Sequence, residues 1–252
     1  MNALSFIPVI FFAISFVFSM LGMGGSQLYI PILFWMGMDF KTEAIPLGML
    51  LNVVSSTSAA TTYARERIIA WRVAIPFAAT MIAFAPVGVW FNLHLTVRSL
   101  LLFFALFTAA AALLMLSGWK PARKEMTPSG TTALGLFSGS ILGLTAGLIG
   151  RGGGSFIVPL LFIAGLETRI AAATSAFVVT CSGLSSFTAH IAGAATPDWF
   201  IWITTVMSVL LGSQLGSRFM AKRMKSRALK MVFGGVLLAI AVLIIVKDVL
   251  PG

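Results

Sequence analysis

Long apolar runs separated by short polar breaks are the dominant pattern of this chain. Leu4–Leu21, Ala44–Tyr63, Val73–Phe91, Leu100–Leu116, Ala133–Ile149, Ile170–His190, Trp199–Leu215 and Met231–Val246 each approach the roughly 20 apolar residues that a spanning helix needs. Two further runs, Gln27–Gly37 and Ser155–Gly165, are much shorter. Eleven helical residues rise about 16 Å, half of the roughly 30 Å hydrocarbon core. Each short run follows a glycine cluster, GMGGSQ in one case and GRGGGS in the other.

Sliding the chain along itself by 128 residues superimposes those two places. GMGGSQLYIPILF (Gly22–Phe34) falls on GRGGGSFIVPLLF (Gly150–Phe162). In the same register Gly37 meets Gly165, Asp39 meets Glu167 and Lys41 meets Arg169. Ser58, Trp71 and Gly88 then meet Ser186, Trp199 and Gly216. Apolar segments always look somewhat alike, but matched tryptophans and a matched acidic–basic pair at one offset indicate duplication. The boundaries expected are a first transmembrane repeat over 1–118, a cytoplasmic linker over 119–130 and a second repeat over 131–252. Each repeat carries five apolar segments, one of them short.

Composition fixes the environment. Of 252 residues 59% are hydrophobic and 10% charged, and the mean hydropathy is +1.02. A soluble domain carries about 25% charged residues, so this surface cannot face water throughout. The chain reads as an all-α integral membrane protein, multi-pass in the bacterial inner membrane. MNALSFIPVIFF lacks the basic n-region of a signal peptide and is expected to be a retained first helix. The net charge of +10 sits mainly in short loops, where it answers to anionic lipid and the insertion machinery rather than to nucleic acid.

Those basic residues test the topology. With an odd number of crossings per repeat, Arg65, Arg67, Arg72, the Lys120–Lys124 stretch, Arg169 and the six basic residues from Arg218 to Lys230 share the cytoplasmic side. Only Lys41, Arg98, Arg151 and Lys247 are then outside. Parallel repeats would place the six-charge loop outside, so the positive-inside rule favours two inverted-topology repeats with both termini outside. Parity leaves open whether the short segments are discontinuous spans or re-entrant.

Inverted repeats are a recurring transporter architecture. Paired short segments interrupted by Gly or Pro are the best sequence pointer to a transporter's site. Irregular backbone at membrane depth persists only where it lines a cavity or is buried in protein. A helix beginning just after Gly25 or Gly153 aims its unpaired N–H groups and positive dipole end into that cavity. The expected site therefore takes an anion at Gly24, Gly25, Ser26 and Gln27 from one turn and Gly152, Gly153, Gly154 and Ser155 from the other. Arg151 either contacts the substrate or snorkels to the membrane surface; the default for an intramembrane charge favours contact. Asn52 and Thr180 occupy matching positions on the Ser/Thr-rich segments that follow. Small hydroxyl residues also serve close helix packing, but a buried carboxamide needs partners, which singles out Asn52.

Other groups add little. Cys181 reads as packing. His94 reads as loop, and His190 as interface or, alternatively, as a proton shuttle. All seven acidic residues lie in loops or at segment ends, so no carboxylate relay is visible. Asp39 with Lys41 and Glu167 with Arg169 are either gating ion pairs or helix-end markers.

The duplicated GMGGSQLYIPIL and GRGGGSFIVPLL, each followed by a short apolar run, an acidic–basic turn and a Ser/Thr-rich segment, resemble the TauE/SafE sulfite-exporter family over essentially the whole chain. The resemblance implies an inner-membrane transporter of small sulfur-containing anions such as sulfite, sulfoacetate or other C2 sulfonates, usually outward. Its partners are that anion, membrane lipid and, as a homodimer, a second copy of the chain; no cofactor or metal is implied. Two readings compete within transport: an anion channel, and an importer of another small anion. An intramembrane enzyme would need a nucleophile–base pair or a metal cluster at membrane depth. One cysteine and two distant histidines do not supply one.

Overall fold

In lipid a backbone must satisfy its own hydrogen bonds, which leaves an apolar chain such as this one the helix. The computed structural model describes residues 7–94, 128–149 and 154–244, with scattered positions from 96 to 117 and Val246. Nine α-helices fill the described residues: α1 (Ile7–Leu21), α2 (Ser26–Trp35), α3 (Ile45–Arg65), α4 (Trp71–His94), α5 (Pro128–Ile149), α6 (Gly154–Ile163), α7 (Thr168–Ile191), α8 (Trp199–Arg223) and α9 (Ser226–Ile244). Among the described residues five helices are long and apolar enough to cross a membrane: Phe40–Arg65, Trp71–Phe91, Thr168–Ile191, Trp199–Arg223 and Ser226–Leu243. The Leu100–Leu116 run and the 119–127 stretch lie largely or wholly outside the described residues.

The solvent logic of the fold is inverted. Phe137 is 73% and Phe200 77% exposed, while Ser15, Ser19, Asn52, Ser55, Ser175, Ser213 and Ser217 are fully buried. Apolar residues outside and hydroxyls inside suit a lipid-facing bundle held by close packing.

The two short helices end in the same way. Both short helices end on a left-handed glycine, Gly37 (φ 96) and Gly165 (φ 92). The same bonds close both turns: Gly37 N–H to Phe34 O and Met38 N–H to Leu33 O, Gly165 N–H to Phe162 O and Leu166 N–H to Leu161 O. This paired C-terminal pattern is why a glycine recurs at that register. After it the two copies diverge. Asp39 caps a π-helical turn, Phe40–Ala44, that leads into α3. Its carboxylate accepts from Lys41 N–H (3.1 Å), Thr42 N–H (2.8 Å) and the Thr42 hydroxyl (2.8 Å). These bonds, Thr42's first, hold the Asp39 carboxyl below its usual range. Glu167 instead accepts from the Ser226 hydroxyl at the start of α9, and the Arg169 guanidinium donates to the Ala221 carbonyl near the end of α8. Asp39 thus caps the turn that leads into α3, while Glu167 and Arg169 reach across to the start of α9 and the end of α8.

The most extensive helix contacts each join a helix before residue 95 to one after residue 127: α4 with α5, α1 with α8, α3 with α7, α3 with α8 and α4 with α7. The contacts give the directions. Ser15 meets Ser55 (3.4 Å), and Tyr63 donates to Ser19 O (2.6 Å), so α1 and α3 are parallel. Ser15 also donates to Val209 O (2.6 Å), and Phe16 lies against Gly216, so α8 runs with them. Gly135 and Gly147 sit against Phe77 and Ala85, making α4 parallel to α5. Trp71 stacks on Phe177, and Ser185 donates to Ile82 O (3.0 Å), so α7 runs with α4. Across the middle, α3 and α7 are antiparallel: Ala195 N–H reaches Thr42 O (2.9 Å), Gly183 faces Asn52, and Arg169 lies near Tyr63. The short α2 turns back beside α1, with Phe11 on Tyr29 (5.0 Å) and Ile30 against Gly48.

Two expectations are corrected. The basic stretch from Arg218 to Lys230 is not a loop: α8 continues through Arg223 and α9 begins at Ser226. Charge does not end a helix; it marks where the helix leaves the apolar phase. His94 is the last residue of α4, its Nδ1 2.8 Å from Trp90 O. His190 is buried, 5% exposed, in the last turn of α7.

Candidate functional site

The site is built from the turn between α1 and α2. Gly22, Gly24 and Gly25 all have positive φ (69, 81 and 107), a backbone path that L side chains resist. Space demands glycine as well. A Cβ on Gly24 would stand 2.2 Å from Asn52 Oδ1, and one on Gly22 would stand 1.9 Å from Ala172 O. The turn is therefore pressed between the middle of α3 and the first part of α7. Ser175 fastens it there by donating to Gly22 O at 2.9 Å.

The short helix starts at Ser26, as the glycine pattern predicts, with Gly25 as an N-cap that offers no side-chain bond. One of the four orphan N–H groups of a helix start, that of Ser26, is met by Asn52 Oδ1 at 3.3 Å. Asn52 is fully buried, and its Nδ2 donor has no partner; Gln27 is 2% exposed, and its Oε1 acceptor has none. An unmet buried polar group costs about 1–3 kcal/mol. Two of them beside an uncapped helix start are polar capacity the fold leaves unused.

The second glycine turn comes to the same place. α6 starts at Gly154, and a Cβ there would stand 2.6 Å from Met23 Cα. The two matched interruptions thus touch through Met23 and Gly154, with Asn52 and Gly183 facing one another behind them. Arg151, Gly152 and Gly153 lie outside the described residues, as does the side chain of Ser155. Thr180, the counterpart of Asn52, is half-buried and donates to Ala176 O (2.8 Å) in its own helix. Sequence reasoning missed Tyr29 and Tyr63. Both are fully buried, and Tyr29 directs its hydroxyl toward Ser15 and Ser55. These are the only tyrosines of the chain, and a phenol kept inside an apolar sequence was the available signal.

A helical bundle with large apolar residues on its outer face, and hydroxyl and amide groups buried among its helices, is that of a multi-pass membrane protein. The family model described as "Sulfite exporter TauE/SafE" matches residues 7–244, and the chain belongs to that family. It is accordingly a multi-pass protein of the bacterial inner membrane. It is similar to a "Probable membrane transporter protein" of Xylella fastidiosa (strain Temecula1), 28% identical over 92% of this chain and 91% of the relative. It is also similar to "Probable membrane transporter protein y4hK" of Sinorhizobium fredii, 26% identical over 85% and 89% of the two chains. "Probable membrane transporter protein YunE" of Bacillus subtilis is 21% identical over 92% and 93%. No solved structure matches the chain.

Proposed function

We propose that the protein exports small sulfur-containing anions, namely sulfite, sulfoacetate or other C2 sulfonates, by alternating access around the two touching glycine turns. The observation that carries this reading is the uncapped start of α2, where Ser26, Gln27 and the unpartnered Asn52 amide converge. N–H groups at a helix start favour an anion by about 0.3–1 kcal/mol each when exposed, more when partly buried. In this reading Arg151, with Gly152, Gly153, Gly154 and Ser155, completes the site from the other turn and supplies its fixed positive charge.

Inverted repeats are part of the proposal. Helices matched by the 128-residue offset run in opposite directions: α1 against α5, α3 against α7 and α4 against α8. An axis relating antiparallel helices lies across them, in the plane a membrane would occupy. Because α2 turns back beside α1 while α3 runs with α1, each glycine-interrupted pair reads as re-entrant, and the odd crossing count required by the basic residues follows. The interlocked contacts also change which bodies move. The rocking units are α1 with α8 and α4 with α5, swinging about the α3–α7 crossing, rather than the two sequence halves.

A thermal-shift panel of small anions on purified protein tests the substrate, since a ligand that prefers the folded state raises its apparent stability. Sulfite or sulfoacetate is expected to raise the midpoint in the wild type and to lose most of that effect in Arg151→Ala. Saturable counterflow of the same anion in proteoliposomes distinguishes a carrier from a channel. Absence of both shift and counterflow for every sulfur anion would end this reading.

A further inference from the structure

The two tyrosines of the chain are used in opposite ways. Tyr63, on α3, donates to Ser19 O at 2.6 Å, so its phenol is spent on the fold. Tyr29, on α2, is fully buried as well, yet its hydroxyl has no hydrogen-bond partner. That hydroxyl stands at the start of its own helix: a Cβ on Gly25 would lie 2.7 Å from it. A Cβ on the preceding Gly24 would meet the Asn52 carboxamide, 2.2 Å from Oδ1 and 3.2 Å from the unpartnered Nδ2. Two buried donors without partners therefore stand against consecutive glycines of one turn.

The neighbouring hydroxyls are served without the Tyr29 phenol. Ser15 donates to Val209 O at 2.6 Å, which leaves Ser55 as the donor in the 3.4 Å contact between the two serine hydroxyls. Both serine protons are thus committed, and the Tyr29 proton is left over. A buried hydroxyl without an acceptor is a cost to the fold that phenylalanine would avoid. An oxygen of a bound anion is the acceptor that turns this cost into binding, because an O–H bond to a charged oxygen is among the stronger hydrogen bonds.

The second copy has no equivalent. At the 128-residue offset Ser15, Tyr29 and Ser55 fall on Gly143, Ile157 and Gly183. Asn52 falls on Thr180, whose hydroxyl is spent on Ala176 O. Among the described residues, the unspent side-chain donors at the paired turns therefore belong to the first turn. They are neutral groups, the Tyr29 phenol and the Asn52 amide, so they act on a ligand through hydrogen bonds alone. In the transport reading the fixed charge comes from Arg151 on the other turn, and nothing asked of Tyr29 depends on where that guanidinium lies.

We infer that Tyr29 is a substrate-binding residue, its phenol donating to an oxyanion seated at the start of α2 beside the Asn52 amide. The inference rests on the transport reading above. Purified wild type, Tyr29→Phe and Tyr63→Phe are melted alone and with sulfite, sulfoacetate and two oxyanions without sulfur, phosphate and acetate. Without an anion Tyr63→Phe is expected to melt roughly 2–4 °C below the wild type, having lost a made bond. Tyr29→Phe, relieved of an unmet hydroxyl, should melt at or above the wild type. With an anion the order reverses: Tyr63→Phe keeps the wild-type response, and Tyr29→Phe needs about tenfold more anion for the same rise. A merely structural role for Tyr29 cannot move the two readings in opposite directions. An anion-free midpoint for Tyr29→Phe as low as that of Tyr63→Phe means that Ser15 or Ser55 already takes its proton, and overturns the inference. An undiminished anion response in Tyr29→Phe overturns it as well. A response confined to phosphate or acetate and weakened in Tyr29→Phe keeps Tyr29 in the site and sinks the sulfur-anion reading instead. A wild type that answers to none of the four ends both.

Discussion

The α1–α8 and α4–α5 interfaces are alike in bringing two backbones close, with the close approach assigned to different partners. In α4–α5 the glycines line α5: Cβ atoms on Gly139 and Gly147 would stand 2.0 Å from Thr80 Oγ1 and 1.9 Å from Ala85 O. In α1–α8 they line α8, where Cβ atoms on Gly212 and Gly216 would stand 2.4 Å from Phe12 O and 2.0 Å from Phe16 O. α5 matches α1, and α8 matches α4, so the glycine stripe has changed sides between the copies. What the two interfaces share is the close approach of two backbones; which helix surrenders its side chains differs between them. Gly88, matched to Gly216 and 2.0 Å from Leu144 O by the same measure, is the place where both copies agree.

The largest effect expected is from breaking these contacts. Gly147→Val and Gly216→Val each force backbones apart and should cost about 3 kcal/mol or more, seen as lost monodisperse protein and a lower melting midpoint. Gly235→Val on α9, where no atom lies within 4 Å of the added Cβ, is the matched control and should be neutral. Equal damage from all three would show that glycine content, not approach, is what matters.

Next comes the pair at the centre. Asn52→Ala removes the acceptor of the Ser26 N–H and should cost about 1–3 kcal/mol, together with most anion-induced stabilisation in a thermal-shift assay. Thr180→Ala, at the matching position, loses only a bond to its own helix and should leave both readings nearly unchanged. Similar losses from the two would mean that the site is symmetric after all.

The acidic–basic pairs give a smaller contrast. Arg169→Ala removes a cation from the last turn of α8 and should cost up to about 2 kcal/mol, with hydrogen exchange rising at the α8–α9 junction. Lys41→Ala should cost less. Asp39→Ala should cost about 1 kcal/mol, as for other N-cap losses. Because the folded carboxyl of Asp39 is held low, its contribution is present above the unfolded carboxyl pKa and disappears as pH falls through the folded one. Acid melts of wild type and Asp39→Ala should therefore converge.

Much of this was legible in residues. The glycine clusters marked where α2 and α6 start, because left-handed backbone and close approach both demand glycine. The burial of Asn52 followed from a carboxamide placed among small residues. Helix ends were less legible: the apolar run stops at Leu215, but hydrogen bonding carries α8 eight residues further, to Arg223. Partner choice was not legible at all. A one-dimensional repeat shows that Gly88 matches Gly216, not that each packs on a helix from the opposite half.

The interlocking has a consequence in time. During synthesis the first half enters the membrane with the Phe12 and Phe16 face of α1 and the Gly88 face of α4 uncovered, because their partners are α8 and α5. It cannot reach its final packing until the second half has been threaded in from the ribosome. Assembly is a late, whole-chain event, and a truncated first half is a client for membrane quality control rather than a small folded protein.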